Sequence, residues 1–124
     1  VTARVEREDG SPVCERCTVA SSRRARLRGL LGRRGLLPGE GLLLRPCASV
    51  HTCFLRFPID VVLLDGDDRV VAVAERLAPW RLAGHRRAKA VVELAAGEAQ
   101  RRAVFPGDRL FMLSDNQAGY GQAT

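Results

Sequence analysis

From residue 42 onward the chain is a succession of apolar runs too short to be ordinary helices, each closed by glycine, proline or acidic turn residues. That punctuation limits it to strand-rich folds. The runs are residues 42–44, 50–54, 59–64, 70–75, 90–94 and 110–113. Asp65, Gly66, Asp67 and Asp68 stand between two of them, so residues 59–74 predict a β-hairpin. In its first strand Ile59, Val61 and Leu63 fall on one face and Val62 and Leu64 on the other. A run apolar on both faces predicts a strand covered on both sides.

The first 41 residues are less regular. Residues 1–12 alternate charged and apolar types up to a turn signal at Asp9-Gly10-Ser11-Pro12 and read as an N-terminal extension. A strand is expected over 13–19. Ser21 and Ser22 are N-cap residues for a helix in which Leu27, Leu30 and Leu31 recur at helical spacing until Gly32, about two and a half turns. Residues 35–41 form a loop, 97–103 one or two helical turns, and 114–124 a flexible tail. A chain of 124 residues holds one domain, placed here at 13–113. The expected fold is mostly β (α+β), a small sandwich- or barrel-like domain with one N-terminal helix covering an end.

Charge is the strongest compositional bias: 20 basic against 14 acidic residues, a net +6. All the basic residues but Lys89 are arginine, a preference that a GC-rich genome explains more simply than a ligand does. Such a charge favours solubility and weak attraction to polyanions. The apolar runs fall far below the roughly 20 residues of a membrane span. No charged start followed by an apolar segment opens the chain, so the expected compartment is the cytoplasm, with reduced thiols. Valine rather than methionine at position 1 leaves room for a removed leader.

Several groups of residues could carry chemistry. Cys14 and Cys17 form a CxxC and, with Cys47, His51 and Cys53, supply enough donors for tetrahedral zinc. A CxxC embedded in a strand places its two thiols on opposite sides, however, so buried structural cysteines are expected instead, with no metal. His51 and Cys53, about 6.6 Å apart along a strand, are too far apart for a nucleophile and its base. His51, Arg56 and Asp60 flank the Phe57-Pro58 bend and could converge, with Trp80 as a core anchor or cleft wall nearby. The plainer reading is that Asp60 caps a turn or pairs with Arg56. Arg23, Arg24, Arg26 and Arg28 lead an acid-free basic stretch on the predicted helix that could bind phosphates or other anions. A solvated arginine face is the ordinary alternative, and aromatic content of 5% leaves little for base stacking.

These residues also carry a resemblance. Arg26, Gly29, Leu30, Leu31 and Arg33, then Gly41 and Leu42, then the run from His51 through Thr52, Cys53, Phe54, Leu55, Arg56, Phe57, Pro58 and Ile59 to Asp60 resemble the bacterial and archaeal Domain of Unknown Function 192 family. Val92-Glu93-Leu94 with Gly97, and Gly107-Asp108-Arg109-Leu110, are similar to its later segments. The likeness departs at Leu31 and Leu55, where methionine is expected, and at Cys53, where an aromatic is usual. It implies a mainly β sandwich-like domain, brings no established activity, and points to pilus assembly for partners. The expected function is that of a small binding or accessory module rather than an enzyme. Its ligand surface is expected around His51, Arg56, Asp60 and Trp80, with no cofactor and an unknown small ligand or protein as partner. The alternatives are an anion or nucleic-acid binder working through the arginine helix, and a small hydrolase or metal-dependent enzyme.

Overall fold

The structure is a computed structural model that describes residues 2–20, 22, 26, 30 and 33–114. Its elements, in chain order, are β1 (Thr2–Arg7), β2 (Pro12–Ala20), β3 (Glu40–Leu44), β4 (Ser49–His51), β5 (Ile59–Leu64), β6 (Val70–Leu77), β7 (Leu82–Gly84), β8 (Ala90–Ala95), the four-residue helix α1 (Glu98–Arg101) and β9 (Leu110–Ser114). Seven strands form one mixed sheet in the order β6-β5-β8-β3-β2-β1-β9, and β4 pairs with β7 in a separate antiparallel ribbon. Within the large sheet β2 and β3 run parallel and the other neighbours antiparallel.

The two edges of the large sheet meet. Arg69 and Arg109, just ahead of β6 and β9, form an antiparallel bridge. Around it Val70 N–H donates to the Asp108 carbonyl at 2.8 Å, Gly107 N–H to that of Val70 at 2.8 Å and Leu110 N–H to that of Asp68 at 2.9 Å. The sheet therefore closes on itself along this seam, which protects edges that would otherwise offer unpaired amides.

Closure gives the sheet an inside and an outside, each with its own apolar cluster. Val5, Val13, Cys14, Cys17, Leu43, Val62, Leu64, Val70, Val92, Leu94 and Leu110, with Met112 and Val73 against them, pack together. All seven strands contribute, so this cluster fills the barrel. Leu42, Leu44, Ile59, Val61, Leu63 and Val91 form the second on the outer face of β3, β8 and β5. The β4–β7 ribbon covers it with Val50 and Ala83, the adjoining segment with Leu55 and Phe57, and Leu30 joins them. The hairpin of β5 and β6 matches the sequence expectation, including the division of β5 between two covered faces. All six of its residues are buried.

Four expectations need revision. Residues 2–7 are not an extension: β1 lies inside the sheet, paired with both β2 and β9. The N-terminal helix covering an end is not borne out, because most of residues 21–32 lie outside the described residues, as do 115–124 of the expected tail. The strand expected over 50–54 stops at His51, and β7 was not anticipated. Finally, the strand-alternation argument for Cys14 and Cys17 fails. Val5 pairs with Cys14 but Ala3 with Cys17, so Glu15 and Arg16 of β2 oppose Arg4 alone of β1 in a β-bulge, and both thiols enter the barrel interior.

Candidate functional site

The outer layer is organised by Thr52, whose side chain and backbone tie two segments together. Its hydroxyl donates to the Ala78 carbonyl at 2.6 Å and accepts from Arg81 N–H at 2.8 Å. Its own N–H donates to the Arg81 carbonyl at 2.8 Å, and its carbonyl accepts from Trp80 N–H at 3.1 Å and Leu55 N–H at 3.2 Å. Thr52 is fully buried. This clamp holds Phe54 and Trp80 at φ 70° and 64°, a left-handed backbone that bulky residues rarely adopt. Their rings meet edge to face with centroids 4.7 Å apart, yet Phe54 is 65% and Trp80 59% exposed. Leu82, paired across the ribbon with His51, is 72% exposed.

Between this layer and the barrel lies a cavity of about 220 Å³ lined by Arg26, Leu44, Cys47, Val50, His51 and Leu82, with Ser49 at its side. The apolar walls come from β3 and the ribbon. The His51 Nδ1 accepts from Cys53 N–H at 3.3 Å, which leaves Nε2 as the protonated nitrogen of the neutral ring. Cys47 donates its thiol proton to the Ser49 carbonyl at 3.1 Å.

Arg26 is the unusual wall residue. It is 3% exposed, and its Nε donates to Oε1 of the fully buried Glu93 at 2.5 Å. The remaining pairing is incomplete: Arg26 Nη2 and Glu93 Oε2 are both buried with no hydrogen-bond partner among the described residues. Burial raises the Glu93 carboxyl above its ordinary range, against the opposing pull of the Arg26 charge. A guanidinium keeps its charge, so an unmet N–H beside an apolar cavity favours any acceptor that can reach it.

With this geometry in place, the chain can be compared with known proteins. The family model for DUF192, described as an uncharacterized ACR, matches residues 4–112. The chain belongs to this family. Two solved structures share its fold: a protein of unknown function from Novosphingobium aromaticivorans DSM 12444 and a putative transcription regulator from Sinorhizobium meliloti 1021. Each is 24% identical with a TM-score of 0.75 over 90% of this chain, covering 84% of the first and 92% of the second. No curated protein matches.

The segments that carry the DUF192 resemblance fall at three structurally distinct places. Arg26 and Glu93 form the buried pair, residues 51–60 run from the ribbon through the Thr52 clamp into β5, and residues 107–110 make the barrel seam. His51 belongs to the cavity wall, whereas Trp80 is not among the residues that line the cavity and stands exposed against Phe54. Asp60 is fully buried, and its two oxygens accept from Arg76 N–H and Ala99 N–H, each at 2.8 Å. It ties the irregularity of the β5–β6 pairing between Ile59 and Val61 to the first turn of α1, so the expected meeting of His51, Arg56 and Asp60 gives way to this capping role. Arg56 is exposed and makes no hydrogen bond or ion pair among the described residues.

The anion-binding alternative changes too. Arg26 faces Glu93 in the interior instead of solvent, while Arg23, Arg24 and Arg28 lie outside the described residues. The zinc donors are divided: Cys14 and Cys17 lie inside the barrel, whereas Cys47 and His51 line the outer cavity. Among the described residues no group of three or more His, Cys, Asp or Glu side chains is placed to hold a metal. Cys14 donates to the Gly39 carbonyl at 3.4 Å. A hydrogen bond with Cys17 lowers the Cys14 pKa, while the same contact and burial push that of Cys17 upward.

The role of Arg26 was hidden by its charged neighbours in sequence. The useful signal lay 67 residues away, where Glu93 interrupts the apolar run Val91-Val92-Leu94. A lone carboxylate in a doubly buried strand requires a cationic partner.

Proposed function

We propose that this member of the DUF192 family is a small-ligand binding module, with the ligand in the cavity between the barrel and the β4–β7 ribbon. The observation that supports this is the buried Nη2 of Arg26, without a hydrogen-bond partner among the described residues, at an otherwise largely apolar wall. A ligand of this site offers an acceptor to Arg26 and sets an apolar body against Leu44, Val50 and Leu82. His51 supplies a second polar contact, while Trp80, which does not line the cavity, is left out of the contact set. Arg56 and Asp60 drop out of the proposed contact set, since one is exposed and the other is committed to two amides.

A fragment library of small aromatic and aliphatic carboxylates, amides and alcohols, followed by amide chemical shifts, tests the proposal. Hits should move Leu44, Val50, His51 and Leu82 together. Cys47→Phe, which projects bulk into the cavity from a half-buried position, should abolish those shifts while leaving the fold intact by circular dichroism. Shifts scattered elsewhere, or unaffected by that substitution, would exclude this cavity as the binding site.

A further inference from the structure

The covering layer has a charge distribution that neither its packing nor the cavity explains. Residues 45–58 and 77–89, which contain the β4–β7 ribbon and the Thr52 clamp, carry Arg45, Arg56, Arg81, Arg86, Arg87 and Lys89 and no acidic residue. Six cations equal the +6 net charge of the whole chain, so the other residues balance. All six are exposed. Arg45 pairs with Asp68 at 2.7 Å and the Arg87 charge helps to hold the Asp65 carboxyl low, so these two face the acidic turn at 65–68, while Arg56, Arg86 and Lys89 have no side-chain hydrogen bond or ion pair among the described residues. The same layer presents Phe54, Trp80 and Leu82, three of the most exposed large apolar side chains among the described residues.

We propose that this layer is a docking surface for an anionic lipid bilayer, with Phe54, Trp80 and Leu82 entering the interface and the surrounding arginines meeting the phosphates. Aromatic and aliphatic side chains within a basic surround match the headgroup boundary, where apolar groups bury shallowly while cations stay with anionic headgroups. The clamp makes the tip rigid: Thr52 fixes the backbone on both sides of the aromatic contact, so little ordering remains for binding. A nucleic acid would use the same charge, but it needs open aromatic faces for stacking. Phe54 and Trp80 instead contact each other at an interplanar angle of 61°, and the most exposed member of the trio is the aliphatic Leu82. The mode is peripheral, since no helix among the described residues is long and apolar enough to cross a membrane.

The chain has one tryptophan, so Trp80 is its own reporter. Its emission should shift to shorter wavelength on titration with phosphatidylglycerol-containing vesicles and stay unchanged with pure phosphatidylcholine vesicles. High salt should reverse the shift. Neutralising Arg56, Arg81 and Arg86 one at a time to glutamine should weaken vesicle sedimentation by about fivefold for each arginine at the surface. The pair Phe54→Ala and Leu82→Ser should abolish the shift while Trp80 stays in place to report it. Both positions are exposed, and melting curves would verify folding. Soluble glycerol phosphate should neither shift the emission nor displace vesicles, which separates a lipid surface from a free phosphate site. Failure to sediment with anionic vesicles would overturn the proposal, as would sedimentation indifferent to the Phe54 and Leu82 substitutions. Trp80 quenching by single-stranded oligonucleotides without any vesicle response would reassign the surface to nucleic acid.

Discussion

Enclosing Arg26 and Glu93 together obliges each to neutralise the other, and the single 2.5 Å contact does so incompletely. Arg26→Met should cost about 3–5 kcal/mol at neutral pH, because it strands a buried carboxylate. Replacing both by Arg26→Met with Glu93→Leu should recover most of that loss. The pH dependence separates charge from packing. In the native protein the Glu93 carboxyl is raised above its usual 4.5, so between the unfolded and folded values the folded state binds the extra proton. This group's contribution therefore falls as pH rises from 4.5. Without Arg26 the carboxyl should rise further, so the penalty measured by urea unfolding should shrink as pH is lowered toward that value. An identical penalty at pH 5 and pH 8 would mean that lost packing, and not the buried charge, is responsible. His51 was legible as a residue worth placing, and it lines the cavity, because a histidine beside apolar neighbours stands out. Arg26 was not, because only a partner 67 residues away distinguishes it from the other arginines.

At the scale of elements, β5, like β8, is packed on every side, since it lies between β6 and β8 and is covered on both faces. Leu63 faces the outer cluster and Leu64 the barrel interior. Alanine at either position should destabilise by about 2–5 kcal/mol, measured by urea unfolding, and the losses should nearly add because the two clusters lie on opposite sides of the sheet. A loss under about 0.5 kcal/mol at Leu63 would mean that the ribbon does not cover that face. The short α1 makes a different contribution. Hydrogen bonds from Arg101 and Arg102, opposed by burial, hold the Glu98 carboxyl below its usual 4.5, and Arg102 also lowers Glu15. Here the folded pKa is depressed, so the stabilisation is present above 4.5 and lost as pH falls through the folded values. Glu98→Gln should flatten the acid limb of melting temperature against pH. An unchanged limb would show that these arginines interact too weakly with the carboxylate to matter. The hairpin was readable because its turn residues and its two-faced apolar run agree. The three-residue β7 had neither cue, and the bulge at Cys14 and Cys17 depends on pairing with β1, which local alternation cannot reveal.

The whole molecule depends on closure. With an open sheet, the cluster built by all seven strands would lose one wall; with the seam made, β6 and β9 protect each other. The sequence left sandwich and barrel undecided because both need the same short, alternating strands, and the difference lies in a contact between Arg69 and Arg109, 40 residues apart. Closure also explains the packing of Gly41. A Cβ there would lie 2.6 Å from the Glu93 carbonyl and 2.9 Å from the Cys14 sulfur, so β3 approaches both the backbone of β8 at Glu93 and the interior thiol of Cys14. Hydrogen exchange can measure the seam directly. The amides of Val70, Gly107 and Leu110 cross it, and in a closed barrel they should exchange nearly as slowly as those of Val62 and Val92 in the sheet centre. Because they would open only with the barrel, denaturant should accelerate all five in parallel. If the seam amides exchanged about a hundredfold faster and responded little to denaturant, β9 would be opening independently. The molecule would then behave as an open sheet with its interior cluster intermittently exposed.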